Sequence, residues 1–357
     1  MHMTSTLERS EIDAKVGSLF MAGMPGTTLD EHTDELIRDY CIGGVILFSR
    51  NIENPLQVAT LCNDLQESSL KYHGSPLFLA VDQEGGRVAR LREPFTSFPG
   101  NTAIGEDSQP MEKAEEFARV TAKEMSLVGL NMDFAPVVDV RRGEPEKHLA
   151  GRTFGDEPEK VSVLGKTVVK VLQENGVMAT AKHFPGLGRT SLDPHYHLPT
   201  IDADAAEIKT INLPPFLAAI EGGVSAIMSS HAIYPALDPD FPATMSHKIL
   251  TGLIRDRLGF SGLIITDDLE MGAIKKKWGV AEGAVASFAA GADILLICED
   301  QKLIHESIDK LKEKLMNGEI GSGRFHQSFD RIAAAKSVFL PDIEPVSLEK
   351  VSSYFGL

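Results

Sequence analysis

The segment from Lys182 to His195 brings side chains capable of acid–base chemistry together with residues that shape loops. Lys182 and His183 end an apolar run, and Asp193 lies two residues before His195. An imidazole oriented by a carboxylate can donate and accept protons near neutral pH, so Asp193 and His195 form a candidate proton-transfer pair. Two glycines and two prolines within the segment favour a loop of defined shape, which predicts a catalytic loop.

A further carboxylate with a rigid support is Asp267, which directly follows the apolar run 263–266. A carboxylate that leaves a buried strand is held in place by that strand, and this suits a nucleophile. The neighbouring Asp268 is expected instead to cap the helix that follows.

Short apolar runs alternate with longer amphipathic ones along the chain, which is typical of repeated βα units around a parallel sheet. One helix is predicted from an N-cap at Ser108 to a stop at Gly129, and another from Asp156 and Pro158 to Gly176. About eight strands close a barrel, so the predicted fold is α/β, a single (β/α)8 TIM-like barrel over 1–340 with a C-terminal tail at 341–357. The predicted strands are 16–22, 44–48, 77–81, 131–134, 177–181, 225–229, 263–266 and 294–297.

Polar side chains fall at the ends of several of these strands. In a (β/α)8 barrel the active site lies where strands end and the following loops begin. The sequence therefore predicts a site at that face. Its candidate residues are Asp82 after the third strand, Asp133 in the fourth, Lys182 and His183 after the fifth, His231 after the sixth, and Asp267 and Asp268 after the seventh.

His197 extends the loop pattern to Asp193-x-His195-x-His197, which is also a possible metal-binding cluster. The metal-dependent barrel hydrolases that carry a His-x-His pair place it after the first strand, whereas here it follows the fifth. We therefore predict no metal and no cofactor.

Composition excludes several function classes. The chain has 357 residues, 24% charged and 43% hydrophobic, with a formal net charge of −16, which disfavours nucleic acid and anionic membranes as partners. Cys41, Cys62 and Cys298 are too few for a disulfide framework and are expected to be reduced and buried. The first residues lack the basic and apolar pattern of a secretory signal, so a cytoplasmic location is expected.

Several motifs together give the chain a clear resemblance to a known family. It resembles the bacterial β-N-acetylglucosaminidases (β-N-acetylhexosaminidases) of glycoside hydrolase family 3, the branch that recycles cell-wall fragments. The resemblance covers nearly the whole chain, and the Asp-x-His after KHFPG is what separates this branch from the β-glucosidases of the family. The motifs are DQEGGR at 82–87 with Arg90, NMDFAPVVDV at 131–140, GRTFG at 151–155, KHFPG at 182–186 with Asp193 and His195, and Asp267 after Thr266.

The resemblance implies a role for each matching residue. Asp267 would be the nucleophile of a retaining mechanism with a covalent glycosyl-aspartate, and His195, tuned by Asp193, would be the acid/base. The implied substrates are terminal N-acetylglucosaminides of peptidoglycan-derived fragments (muropeptides), cleaved by a monomer. The residues implied to hold the hydroxyls of the terminal sugar are Asp82, Arg90, Arg152, Lys182 and His183.

Other functions stay open at this stage. A neutral imidazole repels anions less than a carboxylate does, so a family 3 glycoside phosphorylase is an alternative, as are a β-glucosidase and, in a different class, a barrel that binds sugar without turning it over. The loop departs from the family pattern at Leu187 and Arg189. Arg189 could hold a carboxylated peptide or phosphate, although a solvated surface arginine is the simpler interpretation.

Overall fold

The computed structural model describes residues 6–143 and 147–357, with side chains from Ser10 onward. Eight parallel strands form one sheet in which neighbours along the chain are neighbours in space, and a parallel bridge between Ile265 and Ile294 joins the seventh strand to the eighth. The predicted (β/α)8 barrel is thereby confirmed. The strands are β1 Phe20–Gly23, β2 Gly44–Leu47, β3 Phe78–Val81, β4 Met132–Asp133, β5 Met178–Phe184, β6 Ala226–Ser229, β7 Leu263–Thr266 and β8 Leu295–Ile297.

Helices surround the sheet, and two short antiparallel hairpins lie outside the barrel, Gln83–Gly85 with Val88–Ala89 and Ile233–Tyr234 with Asp238–Pro242. The helices begin and end as follows. The α-helices are Thr6–Lys15, Glu31–Arg38, Pro55–His73, Asn101–Glu106, Pro110–Leu127, Pro158–Glu174, Ala205–Glu207, Leu213–Glu221, Gly272–Lys275, Val280–Ala290, Gln301–Met316, Ser322–Phe339 and Leu348–Phe355; Ile208–Asn212 and Lys248–Arg257 are π-helical, and Val16–Leu19, Ser49–Asn51 and Ala243–Met245 are 3-10 turns.

The strands are short and apolar because both of their faces are covered. Every residue of β2 and β3 is buried, and the two strands pair in register from Gly44 opposite Phe78 to Leu47 opposite Val81. Such runs cannot alternate between core and solvent, which explains their continuous apolar sequence. The core therefore forms a rigid frame whose strand ends fix the loops.

Two predicted strands differ from the structure by three or more residues at one end. The first was expected over 16–22, but Val16–Leu19 is a 3-10 turn and β1 begins at Phe20. Both segments are buried and apolar, so hydrophobicity alone does not separate them. Strand β5 continues to Phe184, so Lys182 and His183 belong to the strand and share its rigidity.

Two predicted helix caps were wrong. The helix expected to start from Ser108 begins at Pro110, and no side chain caps it. The Asp268 side chain does not cap the helix that begins at Gly272; it accepts the Glu270 N–H at 3.0 Å. Before the first of these helices it is Asp107 Oδ1 that accepts the backbone N–H of Gln109, at 2.9 Å.

The C-terminal segment carries structure of its own. Helix Leu348–Phe355 packs against helix Pro55–His73, Val351 is buried, and Asn63 exchanges two hydrogen bonds with the backbone of Val346. The tail predicted after residue 340 is thus attached to the barrel by specific contacts. In the part of the chain that the structure describes, no helix has the length and apolar character needed to cross a bilayer.

Candidate active site

A cavity of about 190 Å³ opens at the carboxyl ends of the strands. It brings together seven of the eight residues to which the resemblance gives a role, and the eighth, Asp193, is hydrogen-bonded to one of them. The other strand-end candidates, Asp133, His231 and Asp268, do not line it. The residues that line it are Asp82, Arg87, Val88, Arg90, His148, Arg152, Lys182, His183, Leu187, Pro194, His195, Asp267 and Met271.

Lys182 lies at the centre of an ion network in this cavity. Its side chain is 2% exposed, and Nζ lies 2.8 Å from Asp82 Oδ1 and 2.7 Å from Glu84 Oε1. Burial lowers the pKa of a lysine, but these two carboxylates raise it by more, and the net pKa lies above its usual value. Lys182 is therefore a fixed cation.

Two arginines complete the network from the other side. Arg152 forms a bidentate pair with Glu84 through Nε and Nη2, both at 2.8 Å, and Arg90 donates to Asp82 Oδ2 at 3.0 Å. Burial raises the pKa of Glu84, but Arg152 and Lys182 lower it by more, to about 2. The same balance, with Lys182 and Arg90 as the cations, holds the pKa of Asp82 below its ordinary value. Both carboxylates are thus ionised acceptors at neutral pH.

His183 is held by Asp139, a fully buried carboxylate that follows β4. Its Nδ1 lies 2.8 Å from Asp139 Oδ2, and Asp139 Oδ1 accepts the N–H of Leu187 at 2.7 Å. The Nε2 side of the ring faces Arg152 Nη2 at 3.5 Å. One carboxylate therefore fixes both the imidazole and the start of the loop after β5.

Asp267 lies at the end of β7, where strand and backbone both restrain it. Its Oδ1 accepts the Asp268 N–H at 2.9 Å. Burial raises its pKa, but the neighbouring His183 and His231 side chains and this N–H lower it by more, so the net pKa is below its ordinary value. Burial raises the pKa of the adjacent Asp268 to about 7, which leaves Asp267 as the more strongly ionised of the two.

The loop after β5 places the proton-transfer pair at the cavity. His195 Nδ1 lies 2.6 Å from Asp193 Oδ1, and the His195 side chain is 57% exposed. The loop is held down by the segment that follows β7, because the N–H groups of Gly272 and Ala273 donate to the carbonyls of His195 and Pro194 at 2.9 and 3.1 Å. His195 and Asp267 therefore line one cavity.

The two departures from the family pattern have separate environments. Leu187 is buried and lines the cavity, whereas the guanidinium of Arg189 forms three hydrogen bonds of 2.7–2.9 Å with Glu207 at the surface. Arg189 is therefore already paired with a carboxylate. As for the alternative metal cluster at 193–197, no group of three potential metal ligands occurs among the residues that the structure describes.

Sequence reasoning missed two carboxylates that organise the site. Glu84 and Asp139 both occur in the motifs quoted above, but acidic residues are mostly exposed, and neither position had a predicted role. Glu84 is 1% exposed and Asp139 0%. The available signal was their apolar setting, since Asp139 stands between Val138 and Val140, where a solvated carboxylate is unexpected.

Comparison with known proteins agrees with this geometry. The model of the glycosyl hydrolase family 3 N-terminal domain matches residues 11–335. A β-hexosaminidase A from Pseudoalteromonas piscicida is 37% identical over 333 residues, which cover 87% of this chain and 56% of that protein. A β-hexosaminidase from Pseudomonas aeruginosa is 37% identical over 285 residues, with 80% of this chain and 83% of the relative covered.

Solved structures show the same relationship in three dimensions. A family 3 β-N-acetylglucosaminidase from Paenibacillus sp. superposes with a TM-score of 0.91 at 37% identity, covering 96% of this chain and 64% of that one. NagZ from Neisseria gonorrhoeae, in complex with N-trifluoroacetyl-D-glucosamine, superposes with a TM-score of 0.75 at 30% identity, covering 94% and 96%. The chain thus spans little more than half of one relative and nearly all of another. By sequence and by fold, it belongs to glycosyl hydrolase family 3.

Proposed function

We propose that this protein is a retaining exo-β-N-acetylglucosaminidase that removes terminal N-acetylglucosamine from peptidoglycan-derived fragments. The observation that carries the proposal is the single cavity in which a strand-held carboxylate, Asp267, and a carboxylate-paired imidazole, His195, line the same space. Hydrolysis by retention needs a nucleophile and an acid/base in such an arrangement.

The ion network supplies the binding part of the mechanism. Lys182, Arg90 and Arg152 offer N–H donors, and Asp82 offers carboxylate oxygens, so several sugar hydroxyls can be held at once. Because the pairs Lys182–Asp82 and Arg152–Glu84 are formed before substrate arrives, little reorganisation accompanies binding. These contacts orient the anomeric carbon above Asp267.

In the first step, the Asp267 carboxylate attacks the anomeric carbon while the glycosidic C–O bond breaks. His195 gives its proton to the leaving oxygen, and Asp193 stabilises the imidazole that loses it. The lowered pKa of Asp267 keeps it ionised for this attack. The product is a glycosyl ester of Asp267 and a free aglycone alcohol.

In the second step, water attacks the same carbon from the face that the aglycone left. His195, now neutral, accepts the proton of the water, and the bond to the Asp267 carboxylate breaks. Two inversions at one carbon give net retention of the β configuration. The enzyme returns to its starting protonation state.

The relatives support the substrate class, because they are named β-hexosaminidases and β-N-acetylglucosaminidases and one was solved with N-trifluoroacetyl-D-glucosamine. Muropeptide fragments are the proposed natural substrates. Three free thiols, at Cys41, Cys62 and Cys298, support a reducing, cytoplasmic location. We also propose a monomer, because the cavity already contains the nucleophile and the acid/base that the mechanism requires, and light scattering would test this.

The decisive experiment follows an aryl N-acetyl-β-glucosaminide through turnover. We expect release of β-N-acetylglucosamine first, detected by proton NMR before mutarotation, and no turnover above background for Asp267→Ala. The His195→Ala variant should accumulate the glycosyl-enzyme, visible by intact mass, because aryl leaving groups need little acid help whereas water needs the base. Turnover by Asp267→Ala, or α-product released first, would refute the mechanism.

A product assay separates hydrolysis from phosphorolysis. Adding phosphate during turnover should leave free sugar as the product, and formation of a sugar 1-phosphate would assign the enzyme to the phosphorylases instead. The aryl β-glucoside provides the matched substrate control: comparable kcat/KM on both substrates would argue for a β-glucosidase. No turnover of either glycoside would leave a sugar-binding barrel.

A further inference from the structure

A second cavity, of about 320 Å³, lies at the opposite end of the barrel. Its walls include Ser18 before β1, Ile42 before β2 and Ser75 before β3, so it opens at the amino ends of the strands. Its volume is at the lower end of the roughly 300–1,000 Å³ typical of small-molecule sites. The proposed glycosidase mechanism uses none of these residues.

The walls of this cavity are largely apolar. Helix Ser322–Phe339 contributes Phe329, Ile332 and Ala333, and Ile42 lies across from them. Two of the three serine hydroxyls in its walls are bonded to backbone, since Ser18 Oγ donates to the Lys15 carbonyl at 2.6 Å and Ser69 Oγ to the Ser75 carbonyl at 2.7 Å. An occupant would therefore meet mainly hydrocarbon.

The walls also carry three basic side chains, of which His73 lies 2.7 Å from the Ile37 carbonyl and Lys15 has a carboxylate partner, whereas Lys336 differs from both. Its Nζ has one hydrogen bond, to Ser75 Oγ at 3.4 Å, and lies 5.3 Å from the centre of the Phe78 ring. Among the described residues no carboxylate forms an ion pair with it, whereas Lys15, also in this cavity, is paired with Glu11 at 3.0 Å. Burial lowers the pKa of Lys336 to about 8, so the ammonium is mostly charged at pH 7.

We propose that this cavity is a binding site for a small monocarboxylate with an apolar tail, whose carboxylate pairs with Lys336 and whose tail packs against Phe329 and Ile332. A half-buried ammonium without a counter-ion is unfavourable, and one carboxylate compensates its single charge with charge-assisted hydrogen bonds. Burial of the tail against the apolar walls adds a favourable hydrophobic contribution.

The same features disfavour other small ligands. A phosphate dianion would leave one negative charge uncompensated among apolar walls, because the neighbouring Lys15 already has Glu11 as a partner. A neutral alcohol would bury its tail but leave the ammonium unpaired. The site therefore selects for one negative charge together with a hydrocarbon body.

Cys41 provides a local probe, since it lines the cavity and is partly exposed, whereas Cys62 and Cys298 are buried. In the intact protein, the rate of Cys41 alkylation by iodoacetamide is measured by mass spectrometry with and without hexanoate. At a hexanoate concentration ten times its Kd, occupancy should slow alkylation about tenfold. Equal rates with and without hexanoate would overturn the proposal.

Three variants test the residues, each scored by its own ratio of rates with and without hexanoate. Lys336→Met, which keeps the length of the side chain, should abolish protection, as should Ala333→Phe, which fills the cavity from the helix. The exposed Lys170→Met, which removes a cation elsewhere, should retain full protection. Thermal melting identifies any variant that fails to fold, and Ala333→Phe keeps the test available if Lys336→Met is lost.

Two further probes test the ligand class in the same assay. Hexanol, with the same tail and no charge, and inorganic phosphate, with charge and no tail, should each protect Cys41 at least tenfold less effectively than hexanoate at equal concentration. Equal protection by hexanol would overturn the role of Lys336, and equal protection by phosphate would overturn the role of the apolar walls. Because no glycoside is present, these outcomes are independent of the proposed enzymatic activity.

Discussion

Two lysines, Lys182 buried at the catalytic end of the barrel and Lys336 half-buried at the opposite end, have very different surroundings. Lys182 lies between two carboxylates, 2.8 Å from Asp82 and 2.7 Å from Glu84, and its pKa is raised. Lys336 has a serine hydroxyl at 3.4 Å as its partner, and burial lowers its pKa to about 8. Burial acts in the same direction on both, so the difference comes from the surrounding charges.

The difference separates a site that is complete before ligand binds from one that still lacks a charge. At the catalytic end each of the cations Lys182, Arg90 and Arg152 has a carboxylate partner, so a neutral sugar can enter without creating an unpaired ion. At the opposite end, Lys336 has none among the described residues, and an anionic ligand would complete the pairing. The catalytic cavity is therefore suited to a neutral ligand and the opposite cavity to an anionic one.

The largest effect is expected from Lys182→Met. The variant leaves Asp82 and Glu84 with one arginine each in a buried site, which should lower the free energy of unfolding by about 3–5 kcal/mol. Loss of a charged donor to the sugar should also lower kcat/KM by roughly 100-fold. Urea unfolding and steady-state kinetics measure the two effects, and an unchanged stability would show that the network is not energetically coupled.

Lys336→Met should act in the opposite direction. It removes a half-buried charge that lacks a counter-ion, so the free energy of unfolding should rise by about 1–2 kcal/mol at pH 7, while kcat/KM on an aryl glycoside stays as in the parent. Urea unfolding without added carboxylate measures this. A destabilised Lys336→Met would mean that the ammonium already has a favourable partner and would remove the contrast with Lys182.

The pH dependence of stability should further distinguish the parent protein from the Lys336→Met variant. The pKa of Lys336 is about 8 in the folded state against an ordinary 10.5, so below pH 8 both states are protonated and the full penalty applies. Between pH 8 and 10.5 the unfolded state binds more protons, so this contribution favours folding increasingly as pH rises. The excess free energy of unfolding of Lys336→Met over the parent should therefore shrink by about 1 kcal/mol or more between pH 7 and pH 10. A constant difference across that range would contradict the lowered pKa.

The catalytic cavity also depends on a loop, whereas the opposite cavity is lined by strand starts and helices. A Cβ at Gly272 would lie 2.8 Å from the His195 carbonyl oxygen, so Gly272→Ala should displace the loop and lower kcat about tenfold, with a smaller change in KM. Gly252→Ala, where the nearest atom is 3.7 Å away, is the matched control. Equal kinetics for the two variants would show that the contact with Gly272 does not position His195.

The smallest effect is expected for Arg189→Ala. Its ion pair with Glu207 is at the surface and exposed, so stability should change by less than about 0.5 kcal/mol. The rates on anionic and neutral glycosides should change equally. A selective loss on anionic substrates would instead give Arg189 the substrate-binding role considered from the sequence.

The barrel could be predicted because its strands carry a local signal. Apolar runs such as 263–266 match the strand found there, and Asp267 directly follows that strand as expected. The first strand began later than predicted because Val16–Leu19 is apolar and buried without being extended. Burial explains why a segment is apolar. Whether that segment is a strand or a turn depends on contacts with residues far away in sequence.

The site was predictable where residues belong to recognisable motifs and less so where a role depends on folding. Asp193 and His195 are close in sequence, so their pairing could be inferred, whereas Lys182 meets Glu84 across 98 positions of chain. Lys336 is a further example, since a lysine in an amphipathic helix is usually solvated. Cys41, expected to be buried, is instead partly exposed because it lines the second cavity.

The bond between His183 and Asp139 determines which tautomer the sugar meets. Asp139 accepts a hydrogen from Nδ1, and the neighbouring Arg152 guanidinium approaches Nε2 at 3.5 Å, so the neutral ring presents a lone pair at Nε2. Under the proposed binding role, the sugar oxygen opposite that lone pair has to carry a hydrogen. A methyl ether at that oxygen keeps the acceptor that arginine and lysine need but loses the hydrogen that His183 needs, so the enzyme would distinguish an O-methylated sugar from its parent by one proton.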